Sequence, residues 1–145
     1  MIRAYTEADL ESCLALFDSN CPEYLDPSER ADYAEFLTTK ASQLGYLVVE
    51  GNGQVIGAGG LMVSENIGWF CWGLVDNARH KAGIGTRLVH ARLDQARENA
   101  NVKVVKLDTS QKTVGFSERF GFVTDKINKD GYGPGLDRYD MTLTV

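Results

Sequence analysis

The feature that most restricts the fold of this chain is a strand, a loop, a long helix and a second strand between residues 67 and 108. Residues Ile67–Val75 are apolar at most positions, which is typical of a strand buried on both faces. The polar loop Asp76–Ala82 leads into the longest helical pattern, from Gly83 to about Asn99. The strand Val102–Asp108 follows. Because a helix connects the two strands, we expect them to run parallel in one sheet.

The rest of the chain alternates between helical and strand periods without a linker or an internal repeat. The remaining predicted elements, in chain order, are a strand at Met1–Tyr5, a helix starting near Thr6, a helix from an N-cap at Ser28 to a stop at Gly45, a hairpin of Tyr46–Glu50 and Gln54–Ser64, a short helix near 113–120, a strand near Phe122 and a last strand, Leu136–Val145. Gly68 and Gly73 inside the central strand indicate a bulge or a close backbone approach. This order predicts one α/β domain, residues 1–145, with a mixed sheet and helices on both faces.

Charge and cysteine content exclude several classes of protein. The net charge of −5 argues against a nucleic-acid-binding protein, because such proteins usually carry a basic face. No apolar run reaches the roughly 20 residues that cross a bilayer, and the first residues lack the apolar stretch of a signal peptide. The three cysteines (Cys13, Cys21 and Cys71) have no metal-type spacing and fit a reducing compartment as free thiols. We therefore expect a cytoplasmic protein without a nucleic-acid, membrane or metal partner.

The loop before the long helix has the properties of a phosphate-binding site. Backbone N–H groups in the first turn of a helix have no intrahelical acceptor, and together with the helix dipole they attract anions. Glycines at 83 and 85 would let a phosphate approach the backbone and would allow a positive φ. Basic residues surround them in an otherwise acidic chain, namely Arg79, His80, Lys81 and Arg87. The stretch therefore points to a phosphorylated ligand.

Other phosphate-binding motifs fit less well. A P-loop needs two glycines five apart followed by Lys and Ser or Thr, which this loop lacks. A dinucleotide-binding fingerprint would use Gly83 and Gly85, with Asp108 as the ribose-binding acid, but its third glycine is replaced by Leu88. One strand–helix–strand unit is also too small for both halves of a dinucleotide. A solvated basic loop without a ligand stays as an alternative.

The stretch His80-Lys81-Ala82-Gly83-Ile84-Gly85 resembles the acetyl-CoA signature of the GNAT superfamily of N-acetyltransferases, a Gln/Arg-x-x-Gly-x-Gly/Ala turn between a strand and a helix. Ile2-Arg3 followed by Thr6-Glu7-Ala8-Asp9 is similar to the opening of that family. The stretch 116–122, Phe-Ser-Glu-Arg-Phe-Gly-Phe, is similar to its late Phe-Tyr-x-x-x-Gly-Phe element. The resemblance covers essentially the whole chain. It implies a GNAT-like mixed, mostly antiparallel sheet with a central parallel pair, Ile67–Val75 and Val102–Asp108.

The resemblance also implies the reaction, in which acetyl-CoA gives its acetyl group directly to a primary amine of a small molecule or peptide. The pantetheine arm of acetyl-CoA would lie between the two parallel strands, and the pyrophosphate would lie on the amides from Lys81 to Thr86. Catalysis would come mainly from positioning and oxyanion stabilisation. The residues implied for the cofactor are Leu74, Val75, Arg79, His80, Lys81, Ala82, Gly83, Ile84, Gly85 and Thr86.

The general acid and base are not fixed by the resemblance. Many family members carry a Tyr that protonates the CoA thiolate, and this chain has Ser117 there, a far weaker acid that we expect on the helix surface. Tyr132 and Tyr139 are the alternative hydroxyls, and a water could also serve. Glu65 and Asp108 are candidate bases. Cys71, in an apolar run, is expected to pack in the core rather than act as a nucleophile.

The acceptor would enter beside two loops that carry acids and aromatic residues. The loop 130–137 contains three glycines and a proline, which predicts a defined turn. We expect it to lie near the segment 21–29, where Tyr24 and Asp26, together with Tyr132, would bind a cationic amine. The resemblance makes a homodimer a reasonable expectation. The alternative function is a non-catalytic acyl-CoA-binding or regulatory module of the same fold.

Overall fold

The computed structural model describes residues 1–80 and 82–145, which form one mixed seven-stranded sheet with helices on both faces. The elements in chain order are β1 (Ile2–Ala4), α1 (Leu10–Ser19), α2 (Arg30–Thr39), α3 (Ala41–Leu44), β2 (Leu47–Gly51), β3 (Gln54–Ser64), β4 (Ile67–Val75), α4 (Ile84–Glu98), β5 (Val104–Thr109), α5 (Val114–Glu118), β6 (Val123–Gly133) and β7 (Leu136–Thr144). The sheet order is β1-β2-β3-β4-β5-β7-β6. Among the helices described, none is long and apolar enough to span a membrane.

The parallel pair expected from the connecting helix is confirmed. Strands β4 and β5 are parallel neighbours, whereas the other neighbouring strands are antiparallel. The bounds expected for β4 are confirmed, but β5 begins at Val104 rather than Val102. The reason is local, because the Val102 N–H donates to Asn99 and the Lys103 N–H donates to Asn66, so these two residues end turns.

The two faces of the sheet hold different parts of the core. Helices α1, α2 and α3 cover one face, where a buried cluster includes Phe17, Tyr33 and Tyr46. Helices α4 and α5 cover the other face, where Leu93, Phe70 and Phe122 are buried. Different loops therefore reach the two ends of each face of the sheet. The site described below lies at one of these ends.

The second predicted helix is divided in the structure. A short 3-10 turn, Pro27–Glu29, precedes α2, and Lys40 interrupts the helix before α3. The N-cap is Asp26 rather than the predicted Ser28, because the Asp26 carboxylate accepts the Ser28 N–H at 3.1 Å. The predicted stop is confirmed, since Gly45 ends α3 with a φ of 72°.

A bulge distorts β4 near its middle, as its glycines indicated. Ala58 and Gly60 of β3 pair with Leu74 and Cys71, so two residues of β4, Trp72 and Gly73, oppose a single residue of β3. Trp72 has a φ of 44°, which is unusual for a residue with a large side chain. The bulge lies beyond Trp69, the last residue of β4 that pairs with β5.

A partly buried ion pair connects the start of the chain to α1 and β2. Both terminal nitrogens of Arg3 donate hydrogen bonds of 2.8 Å to the Asp9 carboxylate. The guanidinium also contacts Glu50. The hydrogen bonds from Arg3 hold the pKa of Asp9 below its ordinary value of 3.8.

We expect the stability supplied by Asp9 to be present above pH of about 3.8 and to be lost as the pH falls through its lower folded-state pKa. Urea unfolding of the parent and of Asp9→Asn between pH 6 and pH 2 measures this. The parent should be more stable at pH 6, and the difference should shrink in acid. A difference independent of pH would contradict the prediction.

Candidate active site

A wedge-shaped cleft opens between the two parallel strands. Strands β4 and β5 pair only from Ile67–Val104 to Trp69–Lys106. Beyond that point β5 stays paired with β7 up to Thr109, while β4 continues along β3 to Val75. The strands therefore diverge at their carboxyl ends, and from Phe70 onward the β5 side of β4 has no strand paired to it. An extended ligand can use backbone groups exposed in this way.

The amino end of α4 lies at the mouth of this cleft and has no side-chain cap. Gly83 has a φ of 82°, and no atom lies within 4 Å of the position that a Cβ would occupy there. The first helical hydrogen bond runs from the Arg87 N–H to the Gly83 carbonyl. The N–H groups of Gly83, Ile84, Gly85 and Thr86 find no acceptor among the residues described. Four outward N–H groups at a helix start form a site for an anion.

The predicted cofactor residues Ala82 to Thr86 meet at this helix start, whereas the predicted Lys81 lies outside the described residues. The reason for glycine at 85 differs from that at 83. A Cβ on Gly85 would lie 3.1 Å from the Phe116 ring of α5, so this glycine allows α4 and α5 to pack closely. Of these two glycines, only Gly83 has a backbone conformation that favours glycine.

Two of the basic residues before the helix, Arg79 and His80, already contact other parts of the protein. The Arg79 guanidinium lies 3.6 Å from the Asp76 carboxylate. The His80 Nε2 lies 3.1 Å from the Val75 carbonyl, which also accepts a hydrogen bond from the Asn20 amide. The carbonyl of Val75 is therefore occupied, and the Leu74 side chain is buried on the α1 face. Pairing of these two residues with an arm in the cleft stays a prediction.

Two buried tyrosines hold the bulge of β4. The Tyr46 hydroxyl donates to the Trp72 carbonyl at 2.6 Å, and the Tyr33 hydroxyl lies 3.0 Å from it. Because the single proton of Tyr46 goes to the carbonyl, Tyr33 must donate to Tyr46. Both side chains are fully buried, and burial raises the pKa of each phenol well above 10. These hydroxyls therefore act as fixed, neutral donors that set the orientation of the bulge peptide.

We expect Tyr46→Phe to lower the free energy of unfolding by about 1–3 kcal/mol, because the Trp72 carbonyl loses its donor. Urea denaturation measures this. Tyr33→Phe is the matched control, since it removes a hydroxyl from the same pair but leaves the bond from Tyr46 to Trp72. Equal losses in the two variants would contradict the assigned role of Tyr46.

Acidic and aromatic side chains meet on the α1–α2 side of the cleft. The Tyr132 hydroxyl donates to the Asp108 carboxylate at the end of β5, and the Arg138 guanidinium lies 3.6 Å from the same carboxylate. Burial raises the pKa of Tyr132, so its phenol stays protonated. Asp26 approaches the same hairpin, since its carboxylate oxygen lies 2.6 Å from the Cβ position of Gly133. Burial also raises the pKa of Glu29, next to this group.

The structure places the predicted acceptor residues around the cleft. Asp26 and Tyr132 meet at the hairpin of β6 and β7, which includes the loop predicted at 130–137. The Tyr24 ring contacts His80 edge-on with ring centroids 4.8 Å apart. Tyr24 therefore connects the segment 21–29 to the loop before α4.

The other two predicted catalytic hydroxyls lie on the α4 side of the sheet. Ser117 is buried, at 8% exposure, and the prediction of a surface position is wrong. Ser117 is three residues from Val114 and from Phe120, so it shares the helix face that packs on the core. Tyr139 packs on the α4 side of the sheet, opposite Tyr132. Cys71 packs against the α1–α2 cluster, and burial raises the pKa of its thiol to about 11, which fits the expected inert role.

Sequence patterns alone did not identify three neighbouring residues: Asn20, Arg138 and Arg92. Arg92 had a usable signal, because it stands four residues after Leu88 and four before Ala96 on the apolar arc of α4. Asn20 and Arg138 reach their partners only through tertiary contacts. Within the described part of the chain, no group of His, Cys, Asp and Glu side chains could hold a metal ion.

Residues 11–122 match the model of the acetyltransferase (GNAT) family. The fold is similar to that of Ard1 from Thermoplasma volcanium, with a TM-score of 0.82 and 22% identity over 100% of this chain and 97% of that one. The ribosomal-protein-S18-alanine N-acetyltransferase from Escherichia coli has a TM-score of 0.83 and 16% identity over 100% and 93%. The yncA protein of Salmonella typhimurium, solved with its cofactor acetyl-CoA, has a TM-score of 0.76 and 20% identity over 99% and 92%. No curated protein sequence gives a significant match.

Proposed function

Since the chain belongs to the acetyltransferase (GNAT) family, we propose that it transfers the acetyl group of acetyl-CoA to a primary amine of a small molecule or peptide. The observation that carries this proposal is the divergence of β4 and β5 beside the uncapped start of α4. The cleft offers one strand edge for an extended arm and one helix start for phosphates. An acceptor can approach from the opposite side of the sheet, where Asp108 and Tyr132 lie.

The residues at the helix start fit acetyl-CoA, because open space at the Cβ position of Gly83 and the free amides through Thr86 suit a pyrophosphate. Bound acetyl-CoA supplies an acyl group activated by its thioester. The arm would lie along β4 toward the bulge that Tyr46 fixes. A rigid backbone at the acyl group favours transfer, because preorganised dipoles need no rearrangement during the reaction.

The acidic side of the cleft suits an amine that arrives as an ammonium ion. Asp26, Glu29 and Asp108 place carboxylates around Tyr132, and an opposite charge attracts a cation most strongly where water is partly excluded. The Escherichia coli relative acts on the alanine of a ribosomal protein, so a peptide amine fits this fold. A cationic small molecule fits the same carboxylates.

We assign the proton transfer to Asp108. An ammonium must lose a proton before its nitrogen can attack, and the Asp108 carboxylate, 42% exposed, can accept that proton at the cleft edge. Tyr132 and Arg138 hold this carboxylate in place. Because Tyr132 donates to Asp108 and its pKa is raised, we assign it to positioning rather than to proton donation.

The release of free CoA tests the proposed function. Purified protein is mixed with acetyl-CoA and with polyamines, amino acids, aminoglycosides or amino-terminal peptides, and CoA release is followed with a thiol reagent. We expect turnover with at least one cationic amine and none with its acetylated form. Tight calorimetric binding of acetyl-CoA without transfer to any of these amines would instead support the non-catalytic acyl-CoA-binding module.

A further inference from the structure

A buried arginine in α4 lacks the partner that such a residue normally has. Arg92 is 7% exposed, and its Nε donates to the Leu88 carbonyl at 3.2 Å. Its two terminal nitrogens make no hydrogen bond or ion pair with any residue in the ranges 1–80 and 82–145. Neither nitrogen is among the fully buried side-chain atoms that lack a partner, so both keep some contact with solvent while the rest of the side chain is buried.

The guanidinium of Arg92 packs on the α4 face of β3 and β4, beside the cleft, and its central carbon lies 3.1 Å from the Cβ position of Gly59 in β3. Its central carbon is 4.0 Å from the centroid of the Phe70 ring, and its terminal nitrogens are 3.2 Å and 3.4 Å from the Cβ position of Gly73. Both residues belong to the part of β4 that has already separated from β5. Gly73 is itself exposed, so solvent reaches the strand next to the guanidinium. Only a residue without a side chain leaves this space at 73.

The position of Arg92 along α4 sets its distance from the start of the helix. Arg92 is eight residues after the first residue of α4, which corresponds to about 12 Å along the helix axis. An arm whose phosphates lie at the helix start and which follows β4 inward therefore brings its reactive end toward Phe70 and Gly73. The guanidinium lies on the α4 side of this point, and the carboxylates of Asp26 and Asp108 lie on the other side.

Packing alone gives a poor reason to bury this charge. A cation loses its hydration in the interior, and replacement of a buried charge by an apolar residue of similar volume is often neutral or stabilising. Burial lowers the pKa of Arg92 to about 10, so the side chain still carries its charge at neutral pH. A positive charge kept at such a place is best explained by negative charge that forms next to it during function.

We propose that Arg92 stabilises the thiolate of coenzyme A as it leaves, an inference that rests on the proposed function. In the transfer, the amine nitrogen bonds to the acyl carbon and the carbon–sulfur bond breaks. The electron pair of that bond goes to sulfur. The ammonium gives one proton to Asp108 before the attack, and the nitrogen gives its second proton to solvent water after it has bonded to the acyl carbon. The guanidinium keeps its own protons throughout and lowers the energy of the sulfur anion through its charge. The buried Ser117 and the engaged Tyr132 are not needed as proton donors.

The thiol pKa of bound coenzyme A tests this directly and without turnover. Free CoA is bound to the parent, and thiolate formation is followed by ultraviolet absorbance as the pH is raised, with the unliganded protein subtracted. Burial raises the pKa of Cys13 and Cys71 to about 11 and also raises that of Cys21, so the protein's own thiols titrate late. We expect the bound thiol of CoA to titrate about 1–3 pH units below the free thiol, as for a group close to an opposite charge.

The variants separate charge from structure. Arg92→Met keeps the length of the side chain and should remove the shift, whereas Arg92→Lys should retain part of it. Arg97→Met is the matched control, because Arg97 is an exposed arginine on the same helix and its loss changes the net charge equally. Thermal unfolding of Arg92→Met should show a stability equal to or above that of the parent.

Four results would overturn the inference. An unshifted thiol pKa in the parent would do so while leaving the proposed function intact, and so would an equal shift in the parent and Arg92→Met. If Arg92→Met does not fold, Arg92→Lys is compared with the parent instead. A larger shift of the bound thiol pKa in Arg92→Lys than in the parent would contradict the proposal. Absence of CoA binding to the parent would overturn the proposed function itself, and this inference with it.

Discussion

Gly83→Asp should abolish most of the stabilisation that acetyl-CoA gives to the folded protein. A ligand present at 100 times its dissociation constant stabilises the folded state by about 2.7 kcal/mol. A carboxylate at position 83 would lie beside the uncapped amides of α4 and would repel the pyrophosphate. The unliganded protein should lose some stability, because Asp must adopt the left-handed φ of 82° that Gly83 has, although no atom lies within 4 Å of the new Cβ. Thermal unfolding with and without acetyl-CoA measures both effects.

Gly83→Asn is the matched control for this variant. Asn and Asp have nearly the same shape, and both tolerate the left-handed conformation that Gly83 adopts, with its φ of 82°. The two variants therefore differ in charge alone. Gly83→Asn should keep most of the gain from acetyl-CoA. If the Asp variant gained as much as the Asn variant, the helix start would not be the site of the phosphates.

Asp108→Asn should reduce kcat/KM for amine acetylation by about 10²–10⁴-fold, the usual contribution of a general base. The amide keeps the shape of the side chain and can still accept the hydrogen bond from Tyr132. It can no longer take a proton from the incoming ammonium. The deficit should shrink as the pH rises, because a growing fraction of the amine then arrives without its proton. Steady-state kinetics across the pH range give both values.

Asp140→Asn is the control for Asp108→Asn. Asp140 pairs with Asp108 across β5 and β7, and it contacts the same Arg138 at 2.9 Å. Asp140→Asn removes one negative charge from the same place, as Asp108→Asn does. It leaves the hydrogen bond from Tyr132 to Asp108 in place. We expect nearly full activity in this variant, and a smaller loss in Tyr132→Phe than in Asp108→Asn. Unchanged activity in Asp108→Asn would remove Asp108 from the mechanism.

The elements with a strong period could be predicted from sequence. The bounds of β3 and β4 agree with the structure, and α4 begins one residue after the predicted start. The stop at Gly45 was also predictable, because a glycine after a helical pattern marks a left-handed cap. These features depend on neighbouring residues in the chain, and so the sequence contains their signal.

The structural features that were not predicted from the sequence depend on contacts between residues distant in the chain. The bond from Tyr132 to Asp108 joins residues 24 positions apart, through the register of β5, β7 and β6. The interruption of the second helix at Lys40 has no strong local signal. Ser117 was expected at the surface because serine is usually exposed, but the face of a five-residue helix is decided by its neighbours.

The way in which β4 and β5 meet has a consequence for the mechanics of the whole molecule. The half of the sheet from β1 to β4 is joined to the half from β5 to β7 by three consecutive residue pairs. An acyl-CoA arm in the gap would add the cross-strand bonds that are missing there and act as a substitute strand. Loading the donor would then stiffen the protein across its middle, and slower amide hydrogen exchange in β4 and β5 would record that change before any acceptor arrives.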